Sequence, residues 1–154
     1  MPSVGLTDSP SGLLAYILEK YSAGTRAENK ELKDGGLTKR FTRDELIDNI
    51  MIYWTSNCIT TSMRLYADTT SKRELSLRVN EIPTSVPTWV IQAKNEIIYQ
   101  PPNVLRIKYP NLVNVTVIHD GGHFLASELP QVFSDDVLEA IKTFRALLTI
   151  KTEL

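Results

Sequence analysis

Apolar residues fall at helical spacing near the start of the chain, run almost unbroken through two short stretches past its middle, and return to helical spacing at its end. In DSPSGLLAYILEKY (8–21), Leu13, Leu14, Ile17, Leu18 and Tyr21 line one face. Ser9 is placed to cap this helix, and Pro10 takes the first helical position, where its missing N–H costs nothing. The next stretch, SAGTRAENKELKDGGLTKR, is polar and holds three glycines, so it reads as a loop. At FTRDEL, Thr42 and Glu45 have capping-box spacing and Phe41 is positioned to staple onto Leu46. The helix that starts there is expected to reach about residue 67 with a bend near Thr55–Asn57. Its apolar residues cover more than one face, which predicts burial of most of it. Residues 69–85 are poorly patterned and read as a loop. The alternation of Leu75, Leu77 and Val79 leaves a third strand open there as an alternative.

The two unbroken runs are VPTWVIQA (86–93) and LVNVTVI (112–118), both rich in β-branched residues and predicted as strands buried on both faces. Between them NVLRIKY (103–109) reads as a helix. Pro130 and the apolar positions Val132, Phe133, Val137, Leu138, Ile141, Phe144, Leu147 and Leu148 then mark a C-terminal helix. A βαβα order implies parallel strands and an α/β class. Two parallel strands this apolar do not make a stable sheet alone. The pattern therefore predicts the C-terminal part of a larger α/β protein with an incomplete sheet.

Composition narrows the function classes. Seventeen basic against eighteen acidic residues give a net charge of −1, with no Lys/Arg stripe that would attract nucleic acid or anionic lipid. Cys58 is the only cysteine, which excludes an internal disulfide and a CxxC motif; its apolar surroundings predict a buried thiol. No apolar stretch reaches the roughly 18–20 residues of a membrane span, and the first fifteen residues do not form a signal peptide, so a soluble chain of cytoplasmic character is expected.

Chemistry concentrates where the predicted strands end. In α/β proteins, active sites form beyond the carboxyl ends of parallel strands. Glu96 follows the first strand and His123 the second, the histidine preceded by two conformationally permissive glycines in VIHDGGHF. Neighbouring strands lie about 4.8 Å apart, so the two turns can bring a carboxylate against an imidazole, leaving the other ring nitrogen as a general base. From the residues alone, a solvated turn residue remains open for Glu96 and a structural role for His123. His119 reads as an ordinary strand-end residue, and Trp54 and Trp89 as core or pocket wall.

The blocks DSPSGLLAYILEKYS, DGGLTKRFTRDELIDNIMIYWTSNCITTSMRLYAD, NEIIYQPP and YPNLVNVTVIHDGGHFLASELP together resemble the carboxyl-terminal third of the microsomal and juvenile-hormone epoxide hydrolases. The resemblance spans roughly residues 4–138, in several long blocks that agree in order and spacing. It implies part of an α/β-hydrolase fold: one partial domain over 1–154, with a helical cap-end and core region (1–68), a loop (69–85) and a βαβα segment (86–154). It also implies hydrolysis of epoxides to diols with neither cofactor nor metal, the partners being a small apolar epoxide and water. By resemblance, Tyr66 in RLYAD binds and protonates the epoxide oxygen, Glu96 in KNEII orients the histidine, and His123 in GGHF activates water. In this family an aspartate attacks the epoxide carbon, and the resulting hydroxyalkyl ester is then cleaved by water. That aspartate, a second tyrosine and an HGxP loop would precede residue 1, as would the membrane anchor that places full-length members at the endoplasmic reticulum. Residues 1–154 alone are accordingly expected to lack turnover. Two other readings stay open: a non-catalytic chain that binds apolar ligands or a partner through its bare sheet edge, and another hydrolase of the fold, such as a dehalogenase or esterase.

Overall fold

In the computed structural model, which describes residues 2–152, the chain divides between residues 79 and 80 into two units. The first is helical: α1 (Pro2–Asp8), α2 (Pro10–Thr25), α3 (Arg43–Ser56), α4 (Ile59–Thr69) and α5 (Lys72–Ser76). Helix α2 starts as its sequence predicts, with Ser9 Oγ accepting the Gly12 N–H at 3.0 Å. It runs four residues beyond Tyr21, into the stretch expected to be a loop. There Thr25 Oγ1 donates to the Tyr21 carbonyl at 2.7 Å, Ser22 Oγ to the Gly35 carbonyl at 2.8 Å, and Asn29 Nδ2 to the Ser22 carbonyl at 3.3 Å. Polar side chains thus bond the backbone groups of a folded connection, and Ser22, Thr25 and Asn29 are buried although their composition reads as solvent-exposed. Two 3-10 turns, Ala27–Glu31 and Leu37–Lys39, shape this connection. Gly36 holds a left-handed conformation at φ 64°, where an added Cβ would collide with the Asn29 side chain.

The capping box of α3 is complete: Thr42 Oγ1 accepts the Glu45 N–H at 3.2 Å, and the Glu45 carboxylate accepts the Thr42 N–H at 2.8 Å. Phe41 and Leu46 are both buried, and the Phe41 ring meets Tyr21 edge-on. The bend expected near Thr55–Asn57 is a full break. Asn57 takes the left-handed conformation (φ 51°) and ends α3 before α4 begins at Ile59. Leu6, Leu13, Ile50 and Ile59 form the core, with Leu14, Ile17, Tyr53, Trp54 and Met63 packed around it. Only Leu46, Ile50 and Ile59 of α3 and α4 are buried, whereas Ile47, Met51, Ile52, Leu65 and Tyr66 are exposed. The expectation of burial over more than one face is therefore corrected, since among the described residues only one flank of these helices is covered. Cys58, expected buried, is only partly buried. Hydrogen bonds from Ser56 and Ser62 hold its thiol below the usual thiol range.

The second unit holds β1 (Thr88–Ala93), α6 (Pro102–Lys108), β2 (Leu112–Ile118), α7 (Leu125–Glu128) and α8 (Pro130–Thr152). The strands pair in parallel, from Trp89 opposite Asn114 to Ala93 opposite Ile118, and α6 makes the crossover. No third strand joins them among the described residues. Leu75 and Leu77 instead fall in and just after α5, capped by Ser71, and Val79 starts a 3-10 turn; all three are exposed. A two-stranded sheet cannot cover both its faces. Accordingly only Gln92, Ala93 and Leu112 are buried in the strands expected to be buried throughout. The Trp89 indole N–H donates to Asp136 at 3.1 Å and ties β1 to α8.

Candidate active site

Both functional turns leave the carboxyl ends of the strands. Beyond β1, the Lys94 N–H continues the ladder to the Ile118 carbonyl at 2.8 Å, and the Glu96 N–H closes a turn onto Ala93. Asn95 fastens this turn to the next one. Its backbone N–H and its side-chain amide both donate to the Gly121 carbonyl, at 3.1 and 3.0 Å. Gly121 itself sits at φ 74°, and an added Cβ there would lie 2.6 Å from Leu125 Cδ1. One of the two glycines before the histidine is thus required both by backbone conformation and by the close approach of α7.

This cross-tie sets Glu96 against His123. The imidazole Nδ1 lies 2.8 Å from Glu96 Oε1, and the Ile97 N–H donates to the same oxygen at 2.8 Å. A carboxylate can only accept, so Nδ1 donates to Glu96 and, in the neutral imidazole, the lone pair falls on Nε2. The His123 side chain is 51% exposed and that of Glu96 29%. The Phe124 ring stands edge-on to the imidazole with centroids 5.2 Å apart. Around the pair lies a cavity of about 390 Å³, walled by Ile91, Ala93, Phe124, Leu125 and Phe133. Such a concave, mostly apolar space with two convergent polar groups suits a small apolar molecule. Among the described residues no cluster of three His, Cys, Asp or Glu side chains is arranged to hold a metal ion.

No protein-family model matches the chain. A juvenile hormone epoxide hydrolase of Bombyx mori is 58% identical over 151 residues, which is 98% of this chain and 33% of that protein. Epoxide hydrolase 1 of Sus scrofa is 39% identical over 132 residues, 86% of this chain and 29% of that protein. The crystal structure of juvenile hormone epoxide hydrolase from the silkworm Bombyx mori superposes with a TM-score of 0.91 over 95% of this chain and 34% of that one. The chain matches the carboxyl-terminal third of the juvenile hormone and microsomal epoxide hydrolases. It spans about a third of the length of these relatives. Its helices and two-stranded parallel sheet are a partial α/β-hydrolase fold.

Against the epoxide hydrolase pattern, the acid and the histidine of the expected set meet directly. Tyr66 stands on α4 in the first unit, and its side chain is not packed in a core: the residue is 74% exposed. The Tyr66 carbonyl accepts from the Thr70 N–H and from the hydroxyls of Thr69 and Thr70. His119 is exposed at the end of β2, as expected of an ordinary strand-end residue. Sequence reasoning overlooked Asn95 and Glu128. The first carried a signal in the short polar turn KNE, the second as the lone acid in the apolar stretch HFLASELP.

Proposed function

We propose that residues 1–154 supply the water-activating part of an epoxide hydrolase, within one α/β-hydrolase domain of which 1–154 is a portion. The observation that carries this reading is the 2.8 Å bond between Glu96 and His123 at the mouth of an apolar cavity, in a chain 58% identical to a juvenile hormone epoxide hydrolase. In the proposed cycle Tyr66 donates its phenolic proton to the epoxide oxygen as the ring opens. An aspartate outside residues 1–154 forms a C–O bond to the ring carbon, leaving a hydroxyalkyl ester. His123 Nε2 then takes a proton from water while the water oxygen bonds to the ester carbonyl carbon. The tetrahedral intermediate expels the diol oxygen, which takes the proton from His123, and the carboxylic acid so formed returns its proton to the Tyr66 phenolate, restoring the aspartate carboxylate. Glu96 holds the imidazole in the required tautomer and stabilises the imidazolium that forms between these steps.

The proposed substrates are small apolar epoxides of the juvenile hormone type, with water as co-substrate and no cofactor or metal. A microsomal location at the endoplasmic reticulum is proposed for the complete protein. Among the described residues no helix is long and apolar enough to cross a membrane.

The test is a graft in which residues 4–154 replace the matching third of the silkworm enzyme. The graft is expected to convert a juvenile hormone epoxide to its diol, with Tyr66→Phe depressing the rate. A folded graft without turnover would refute the reading. Full turnover with Tyr66→Phe would point instead to a hydrolase of this fold that has no use for a phenol.

A further inference from the structure

Glu128 is buried, with 7% of its surface exposed, in a segment otherwise made of apolar and small residues. A buried carboxylate needs hydrogen-bond donors, and Glu128 has them at a telling place. Its Oε1 accepts the Gly122 N–H at 3.0 Å and the Phe124 N–H at 3.2 Å, the backbone groups immediately before and after His123. A return bond runs from the Glu128 N–H to the Phe124 carbonyl at 2.9 Å. The loop is therefore closed in both directions around one residue. Two amide donors thus converge on one carboxyl oxygen in a site shielded from water.

We propose that Glu128 is a positioning residue for the histidine: by clasping the amides on both sides of His123 it holds the imidazole in line with Glu96. This rests on the reading of His123 as the water-activating base, and it adds a group that never touches substrate. The geometry gives the clasp its effect. His123 is half-exposed, and among the described residues one side-chain hydrogen bond fixes its ring, so the direction of its Cα–Cβ bond decides whether Nδ1 meets Glu96. Gly121 and Gly122, which precede it, place little restraint on the backbone of their own. Gly121 is steered by Leu125 and by the Asn95 bonds, and from Gly122 onward the restraint comes from Glu128.

A helix-capping role alone would predict the same fold loss for any substitution, so the decisive comparison is between two side chains. Glu128→Gln keeps an oxygen at the same reach and loses the charge. Glu128→Asp keeps the charge and falls short by one methylene. In nitrogen-15 spectra of the graft, the wild type is expected to show a slowly exchanging, downfield Nδ1 proton on His123. Glu128→Gln should retain it, whereas Glu128→Asp and Glu128→Ala should lose it, with far-UV circular dichroism unchanged in Glu128→Asp. In the graft, Glu128→Asp should lower kcat about 10- to 100-fold, the cost of a misplaced catalytic group, with KM changed less than about twofold. Glu128→Gln should stay within a fewfold of wild type. An Nδ1 proton equally retained in the Asp and Gln variants, or equally lost in both, would overturn the proposal, and these two decide it even if Glu128→Ala does not fold. A wild-type graft without turnover, beside an Nδ1 series that behaves as expected, would refute the epoxide reading and leave the clasp standing.

Discussion

At the scale of single residues, the site depends on what one hydrogen bond does to a ring. Because Glu96 accepts from Nδ1, Nε2 is the nitrogen left for the proposed base. A carboxamide at position 96 can turn its NH₂ toward the ring and favour the wrong tautomer. Glu96→Gln in the graft is therefore expected to cut diol formation about 10²–10⁴-fold, the usual worth of a positioned base; a change smaller than threefold would remove Glu96 from the mechanism. Gly121→Ala tests the turn itself. The left-handed backbone and the clash with Leu125 should destabilise the second unit by at least about 1–2 kcal/mol in urea titration. Glu96 and His123 were legible in the sequence because strand-end positions carry few other demands. Glu128 was not, since its meaning lies in two amides that only the folded turn brings to it.

At the scale of elements, local signals located helix starts well and helix ends less well. SPSG announced the first turn of α2, and TRDE that of α3, because caps act through side chains three residues from their partners. Thr42→Ala should cost the first unit about 1 kcal/mol, read from its thermal or urea transition. The same cap predicts a pH response. Hydrogen bonds from the Thr42 N–H and hydroxyl hold the Glu45 carboxyl below the usual carboxylate range. Its contribution is then fully present above the unfolded-state value and is lost as pH falls through the lower folded-state value. The wild-type chain should thus lose this increment only in acid stronger than the ordinary glutamate range, and a Glu45→Gln variant should lack it. What the pattern could not give was the extension of α2 through Ser22 and Thr25. Polar residues that bond a folded loop have the same composition as residues that bond water.

At the scale of the whole molecule, the order βαβα fixed the class, and the shortage of strands pointed to a partial sheet. Both were legible because parallel strands leave near-continuous apolar runs. The extent of exposure was not. Ile52, Leu65, Ile107 and Leu148 are each more than 60% exposed, and periodicity says which residues are apolar without saying what covers them. Residues 1–154 by themselves are expected to bind an apolar dye strongly and to aggregate more readily than the graft, where the silkworm segments adjoin them. Equal dye binding by the two, at equal concentration, would contradict this. Residues 1–154 alone are also expected to form no diol from an epoxide.

The central claim is that His123, oriented by Glu96, activates the water that cleaves an enzyme ester. Intact-mass measurement of the graft carrying His123→Gln, mixed with a juvenile hormone epoxide, tests it most directly. The account predicts that the protein gains the mass of one epoxide and holds it, with diol release stalled after the first chemical step. Continued turnover at the wild-type rate, with no mass added to the protein, would contradict it.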